Sequence, residues 1–574
     1  MVAATVTIPQ PTEQTQIDAQ LKKLKAAAPG FAKLPLAERR ALLNELRERA
    51  ANLAERWVQL ACQAKGLQFG TPLAGEEWLA GPFVTVRAFR LLDKALEEIA
   101  QYGQPVIPDS AIRTRANGAL AVRVFPANNL DKALFAGLTA ETYLLPGVTK
   151  EQMRERQARF YKQPDHQGKV SLVLGAGNVS SIPPTDVASK LFVEGKVCIL
   201  KMNPVNAYVG PLFEQMFAQC IERGYVAITY GGPEEGKYLV QHADVDEIHI
   251  TGSDKTHDAM VWGPPGPERA ERIARNDPLL KKEISSELGN VSPVIVVPGP
   301  YSDKELEFQA ANIAGAITNN GSFNCNAAKL MVSPKGWSTR ESLLNRIEGQ
   351  LSQAPLRKAY YPGADQRYAS FVEGRSNVHK IGNAGPGELP WTVIRDVDSS
   401  KTDDRIFRDE PFCSILSETA VGSDDPIRFL EEAVKFVNEK VWGTLNATLI
   451  VHPTTLADPR ANAAVEKAID DLRYGAIGVN LWPATIFAIG TTPWGGYPGA
   501  PLNDIQSGRG FVHNSFMLED IEKCVARQPI TAFPKPLWFP GHKTAHEVGR
   551  RLVELERTGS WLKLPAVAMA AMRG

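Results

Sequence analysis

An α/β protein with two parallel-sheet units is what this 574-residue sequence predicts, and three observations predict it. Short apolar runs alternate with helical stretches between about residues 170 and 255. The same alternation resumes past residue 288, in kind but without sequence repetition. The chain is also too long for one ordinary core, so roughly two to four domains or subdomains are expected.

The elements follow in order. Residues 1–20 read as a polar lead-in. From about Ile17 to Ala64, apolar residues recur at three and four with charges between them, which gives an amphipathic helical cover without a catalytic signal. Within 105–145, "ALAVRVF" is strand-like and is broken by "PANN"; residues 151–168 read as helix and then loop. Next, "GKVSLVLGAGN" is a strand ending in glycines, "PPTDVASKLFVEG" a helix and "KVCILKMNP" a strand. "AYVGPLFEQMFAQCIERG" reads as a helix, "YVAITYGG" as a strand, about Pro233 to Ala243 as a helix, and "VDEIHITGS" as a strand. This order describes βαβ units with helices on both faces of a parallel sheet. Downstream, "VSPVIVVPG", "AAKLMVS" and "TLNATLIVH" are strand-like. "DKELEFQAANIAGAITNN" and "PIRFLEEAVKFVNEKVWG" are helical, the latter ending at Gly443. The Gly-, Pro- and Trp-rich run from 475 to 501 has the character of loops that line sites.

Composition narrows the function classes. Hydrophobic residues are 44% and charged residues 22%, while Lys plus Arg and Asp plus Glu are 64 each. Such balance gives no electrostatic reason to expect nucleic acid or an anionic membrane as partner. Six scattered cysteines without a CxxC pair are not a disulfide framework, and a reducing, cytoplasmic setting is expected. The N-terminus lacks a secretory pattern, and no run of about 18 apolar residues predicts a membrane span. The nine histidines form no cluster of metal-ligand type, so no metal is expected.

Three stretches carry candidate chemistry. In "NNGSFNCNAAKL", Cys325 sits among small and amide-bearing residues. In "GAGN", Gly175 and Gly177 could open a dinucleotide fingerprint, but Ser180 stands at the third glycine position, so a plain glycine turn explains it equally. Asn178, at that strand end, offers an amide donor for an oxyanion. In "SSELGNVSP", Glu287 is either a solvated surface carboxylate or a base that activates water. Ser253, in "HITGSDK", is an N-cap, and a helix N-terminus also attracts phosphate.

Taken in order, Asn178, Lys201, Ser253, Glu287, Cys325 and Glu410 with their contexts resemble the aldehyde dehydrogenase superfamily over roughly residues 17–515. "LGAGNVSSIPP", "VCILKMNP", "ELGNVSP", "NCNAAKL" and "RDEPFCSIL" carry the resemblance. It implies a Rossmann-like nucleotide-binding domain, a second α/β catalytic domain and a small β oligomerisation element. Mapped on this chain, 1–120 with 168–288 form the helical cover and nucleotide-binding domain. Residues 121–167 form the bridging segment, 289–490 the catalytic domain, and 491–574 the C-terminal bridge and extension. By the same resemblance Cys325 is the nucleophile, Asn178 an oxyanion donor and Glu287 the base that activates water. Lys201, Gly252, Ser253 and Glu410 hold NAD or NADP, and the assembly is a homodimer or homotetramer.

The implied reaction is oxidation of an aldehyde to a carboxylate through a thiohemiacetal and a thioester. Release of the acyl group to CoA, or a non-catalytic relative, are the alternatives. "LKMNPVN" has no acidic residue after Lys201, so NADP is expected to be tolerated. Phe323, Trp482 and Phe487 are expected at the substrate mouth, or else packed at a domain interface. Four features depart from the family pattern. Gly321 lies four residues before the cysteine, Asn290 replaces a glycine, Cys413 replaces another, and the segment after Ser253 is long. Cys62, Cys198 and Cys220 are expected to be buried filler.

Overall fold

The computed structural model describes residues 7–163 and 165–574; the first six residues of the polar lead-in lie outside them. Two sheets organise the chain. The smaller runs Gly508–Arg509, Glu283–Leu288, Glu247–Gly252, Val170–Leu174, Val197–Lys201, Val226–Thr229. All of its pairs are parallel except the short first strand against Glu283–Leu288. Its "VSLVL" and "VCILK" strands are apolar on both faces because helices cover both sides. Their carboxyl ends meet at one edge, where an open parallel sheet receives ligands. Asn178, Lys201, Gly252 and Glu287 all lie at or just beyond that edge.

Six parallel strands make the core of the larger sheet. They are Ala476–Val479, Asn446–Ile450, Pro293–Val296, Leu330–Pro334, Ile415–Val421 and Trp391–Val397, in that spatial order. Strand Ile521–Arg527 continues it beside Ala476–Val479, and the antiparallel strands Thr139–Leu144, Leu120–Phe125 and Ile112–Thr114 extend it further. Val378–Ile381 closes the opposite edge. No helix among the described residues is long and apolar enough to cross a membrane.

Several elements differ from their sequence reading. The N-terminal cover is two helices, Gln14–Ala32 and Leu36–Lys65, because Pro35 caps the second and cannot continue the first. The helical stretch at 207–224 splits into Gly210–Met216 and Ala218–Glu222. The helix expected to reach Gly443 ends at Lys440. Beyond "FVHN" (511–514), within the part read as the C-terminal bridge and extension, the chain supplies an interior strand of the larger sheet. "IEKCVAR" hides this role because it carries Glu522 and Lys523, which are nevertheless buried. Arg115 pairs with Glu522 at 2.5 Å, and the Lys523 ammonium donates to the carbonyls of Ile469, Asp470 and Leu472. Helix Ala545–Thr558 then packs on the N-terminal helices.

Candidate active site

A cleft of about 1330 Å³ runs along the carboxyl edge of the smaller sheet, and its lining includes Asn178, Lys201, Gly252, Ser253, Glu287, Cys325 and Glu410. The fold therefore brings together all seven residues singled out from the sequence. They divide into an adenosine-side group and a reacting group.

Lys201 ends its strand and is buried, and desolvation pulls its ammonium below the usual lysine range against the pull of Glu235. Ser253 caps helix Asp254–Trp262, its Oγ accepting the Thr256 N–H at 3.2 Å. Gly252, Asp254, Lys255 and Thr256 line the cleft beside it, so the first turn of this helix borders the cavity. This is the long segment noted after Ser253. It contains helix Pro267–Arg275, which buries none of its own residues, and its flanks Gly263, Pro264 and 279–282 wall the cleft. A lysine at one strand end and a capped helix N-terminus at another fit a dinucleotide laid across the edge.

At the reacting end, Cys325 follows a short turn, Asn319–Ser322. Asn320, Gly321 and Ser322 have φ of 54°, 63° and 69°, a left-handed run that accommodates the extra residue between Gly321 and the cysteine. The Cys325 carbonyl accepts from Ser292 Oγ at 3.2 Å, Lys329 Nζ at 3.2 Å and Asn446 Nδ2 at 3.3 Å. Its thiol is half-buried and is held well above the usual thiol range by burial first and by the neighbouring Glu287 second. Glu287 is buried near the end of Glu283–Leu288 rather than solvated. Burial, reinforced by Asp186, pushes its carboxyl up to about 8, while Cys325 and Trp494 pull the other way. Asn178 is buried and gives one N–H to the Phe323 carbonyl at 2.9 Å.

Glu410 also enters the cleft and is ion-paired with Lys329, which is buried. A Cβ at Gly289 would lie 1.8 Å from the Glu410 carboxylate, so this glycine makes room for the acid. Asn290, standing for the usual second glycine, is wholly buried and ties the turn to Asn446 at 3.0 Å and Ser292 at 3.0 Å. Cys413 is buried filler whose thiol burial raises to about 12. Cys62, Cys198 and Cys220 are buried as expected.

The expected mouth does not lie on this cleft. Phe323 is buried against Tyr360, Tyr361 and Phe412, while Trp482 is buried and donates to the Asn326 carbonyl at 2.6 Å. Phe487 packs on Trp494 and His513. The aromatic residues on the cleft are Tyr361, Phe412 and Trp442.

Sequence reading missed a second layer. Lys65, buried and paired with Glu77 at 2.8 Å, also donates to the Asn178 carbonyl at 3.2 Å and to Asn320 Oδ1 at 2.9 Å. Tyr360 donates toward the same two oxygens at 3.2 and 3.0 Å. Glu76 accepts the Asn320 N–H at 2.9 Å and pairs with Arg357. Lys329 left one signal, a lysine at the start of an apolar strand; the Lys65 group left none.

Comparison with known proteins agrees with the geometry. The chain is 22% identical over 386 residues to a chloroplastic betaine aldehyde dehydrogenase of Beta vulgaris, covering 64% of this chain and 66% of that one. It is 27% identical over 303 residues to peroxisomal aminoaldehyde dehydrogenase 2 of Pisum sativum, covering 49% and 51%. These alignments thus span about half to two thirds of the relatives' length. The fold is shared with the NADP-dependent glyceraldehyde-3-phosphate dehydrogenase of Bacillus halodurans, solved with NADP, at a TM-score of 0.58, 16% identity, and coverage of 90% and 92%. The aldehyde dehydrogenase family model matches residues 178–514, from Asn178 past Cys325 and Glu410, and by that match over more than half its length the chain belongs to the aldehyde dehydrogenase family.

Proposed function

We propose that this chain oxidises an aldehyde to its carboxylate with NAD or NADP, through a thioester on Cys325 that water hydrolyses. The observation that carries the reading is the meeting of Cys325 and Glu287, thiol against buried carboxyl, with Asn178 at the same end of a dinucleotide-sized cleft. Cys325, once deprotonated, adds to the aldehyde carbon. The second N–H of the Asn178 amide stabilises the oxyanion that forms. When bound, the nicotinamide cofactor supplies the hydride acceptor. Lys201, the helix beginning at Ser253, and Glu410 would hold it. Glu287, in its carboxylate form, takes a proton from the water that attacks the thioester, and the Cys325 thiolate leaves.

Retention of a buried base beside the thiol favours hydrolysis over release to CoA. Cofactor preference follows from Lys201: no carboxylate follows it in its own loop, so NADP serves about as well as NAD. The names of the relatives place betaine aldehyde and aminoaldehydes in the first substrate panel, beside hexanal and benzaldehyde. Formation of NADH or NADPH is measured with this panel, with and without CoA. Turnover without CoA, lost in Cys325→Ala with cofactor binding retained, is the expected result. Turnover that waits for CoA overturns the hydrolytic step, and activity within about tenfold of wild type in Cys325→Ala overturns the nucleophile.

A further inference from the structure

Behind Glu287 lies a polar cluster that the reaction as described does not use. Residues 249 and 251 of one strand and 285 and 287 of its parallel neighbour are in register, Thr251 beside Glu287 and His249 beside Ser285, so the four side chains share one face. Helix Ile182–Phe192 covers that face and delivers Asp186, which is 1% exposed. Asp186 Oδ2 accepts from Thr251 Oγ1 at 3.0 Å and lies 3.6 Å from His249 Nε2. The other ring nitrogen, His249 Nδ1, lies 2.9 Å from Ser285 Oγ. Ser285 is half-buried beside the exposed Gly510.

Two buried oxygens on this face have no hydrogen-bond partner, Glu287 Oε1 and Asp186 Oδ1. A buried carboxylate oxygen without a donor is costly, and two neighbouring carboxyls relieve that cost by sharing a proton. Glu287 shares the cleft lining with Cys325 and Glu410, and Thr251, its neighbour in register, donates to Asp186. Asp186 is faced by Glu287, His249 and also His513, whose Nε2 is 3.0 Å from Thr185 Oγ1. Burial lowers His513 to about 4, so it stays neutral near pH 7 and carries no proton outward.

We propose that Asp186 and His249 form the exit for the proton that Glu287 takes from water, leading it between the two strands to the Ser285 hydroxyl at the surface. Glu287 passes the proton to Asp186. His249 accepts it at Nε2 and releases the proton on Nδ1 to Ser285, and the ring regains its starting tautomer between turnovers. No electron moves and no other reactant is needed. Asp186 and His249 act through Glu287 rather than on the substrate, and the inference rests on the hydrolytic reading above.

The test uses 4-nitrophenyl acetate, an activated ester that acylates a thiolate without cofactor. Stopped-flow release of nitrophenolate reports acylation, and mass spectrometry of quenched samples follows loss of the acetyl group from Cys325. Wild type, Glu287→Gln, His249→Gln and Asp186→Asn are compared across pH. In the two relay variants we expect an acylation burst near one per site and deacylation slowed about tenfold, a smaller loss than the ~10²-fold or more expected for the base itself. Added imidazole should restore part of the rate in His249→Gln. Deacylation and its pH profile at wild-type values in both relay variants, or burst and deacylation falling together without imidazole rescue, overturn the exit. Failure of wild type to acylate at Cys325, or normal deacylation in Glu287→Gln, overturns the underlying reading instead.

Discussion

Glu287 helps to hold the Cys325 proton in place, while burial and Asp186 hold its own against the pull of the thiol. With the carboxyl raised to about 8 and the thiol above its usual range, both groups are protonated at neutral pH in the resting chain. Replacing Glu287 with Gln removes the carboxylate that forms as pH passes through about 8, and with it the charge that holds the thiol up there. Two rates should then move in opposite directions. Alkylation of Cys325 by iodoacetamide at about pH 9 becomes faster, while thioester hydrolysis falls about 10²- to 10⁴-fold. Alkylation that slows in Glu287→Gln contradicts the electrostatic account. In the wild type, hydrolysis should rise as pH passes through about 8, where the base form appears.

The same shift has a stability consequence. Glu287 binds its proton more tightly in the folded chain than in the unfolded one, so its contribution is fully present below about the ordinary carboxyl value and is lost as pH rises toward 8. Glu287→Gln should therefore raise the melting temperature more at pH 9 than at pH 5, by the equivalent of a few kcal/mol. At this scale Asn178, Glu287 and Cys325 were readable together, through their order and local contexts rather than singly, and the cleft brings the three side by side. Lys329 left a single weak signal and Asp186 none, because their contacts are with Glu410 and Thr251, which are distant in the chain.

Among the elements, the left-handed turn before Cys325 and the strand end at Asn178 are fastened to the N-terminal helices through one buried group of charges. Lys65 comes from helix Leu36–Lys65 and Glu77 from the short helix Gly75–Trp78, and both are at most 5% exposed. Removing one partner strands the other, which typically costs about 3–5 kcal/mol. Lys65→Met should lower stability by that order, and Lys65→Met with Glu77→Gln by less than the sum of the single changes, as a double-mutant thermal denaturation cycle will show. Periodicity marked these helices as cover and was right about their packing. It could not show that the cover reaches the oxyanion turn, because hydrophobic spacing says nothing about where a buried lysine finds its acceptors.

Across the whole molecule, the last 60 residues are built into the fold. Helix Ala545–Thr558 delivers Glu556 to Arg87 at 2.6 Å, both completely buried, and Arg87 also pairs with Asp131 at 2.9 Å. Burial pushes Glu556 up, but Arg87 and Arg90 outweigh it and hold the carboxyl below its ordinary 4.5. That stabilisation is present above the ordinary value and is lost as pH falls through the lower folded value. Glu556→Gln should cost about 3 kcal/mol or more at neutral pH, and this difference from wild type should shrink in acid below about pH 4; urea midpoints at the two pH values check both statements. The alternation of strands and helices made both parallel-sheet units legible. Strand order was not, and neither was the late strand, whose charged residues disguise an interior position.

That late strand has a consequence for how the chain is made. Ile521–Arg527 stands between Ala476–Val479 and Thr139–Leu144, so the strands near residues 112–144 have their place in the large sheet only through a segment synthesised almost 400 residues later. While the ribosome completes the interval, Thr139–Leu144 presents a row of unpaired N–H and C=O groups, an edge that recruits any compatible strand. Such long-range pairing is slow and exposes intermediates to aggregation. Nascent chains stalled before residue 520 should therefore be held by chaperones longer than chains stalled after Ile521–Arg527 has left the ribosome.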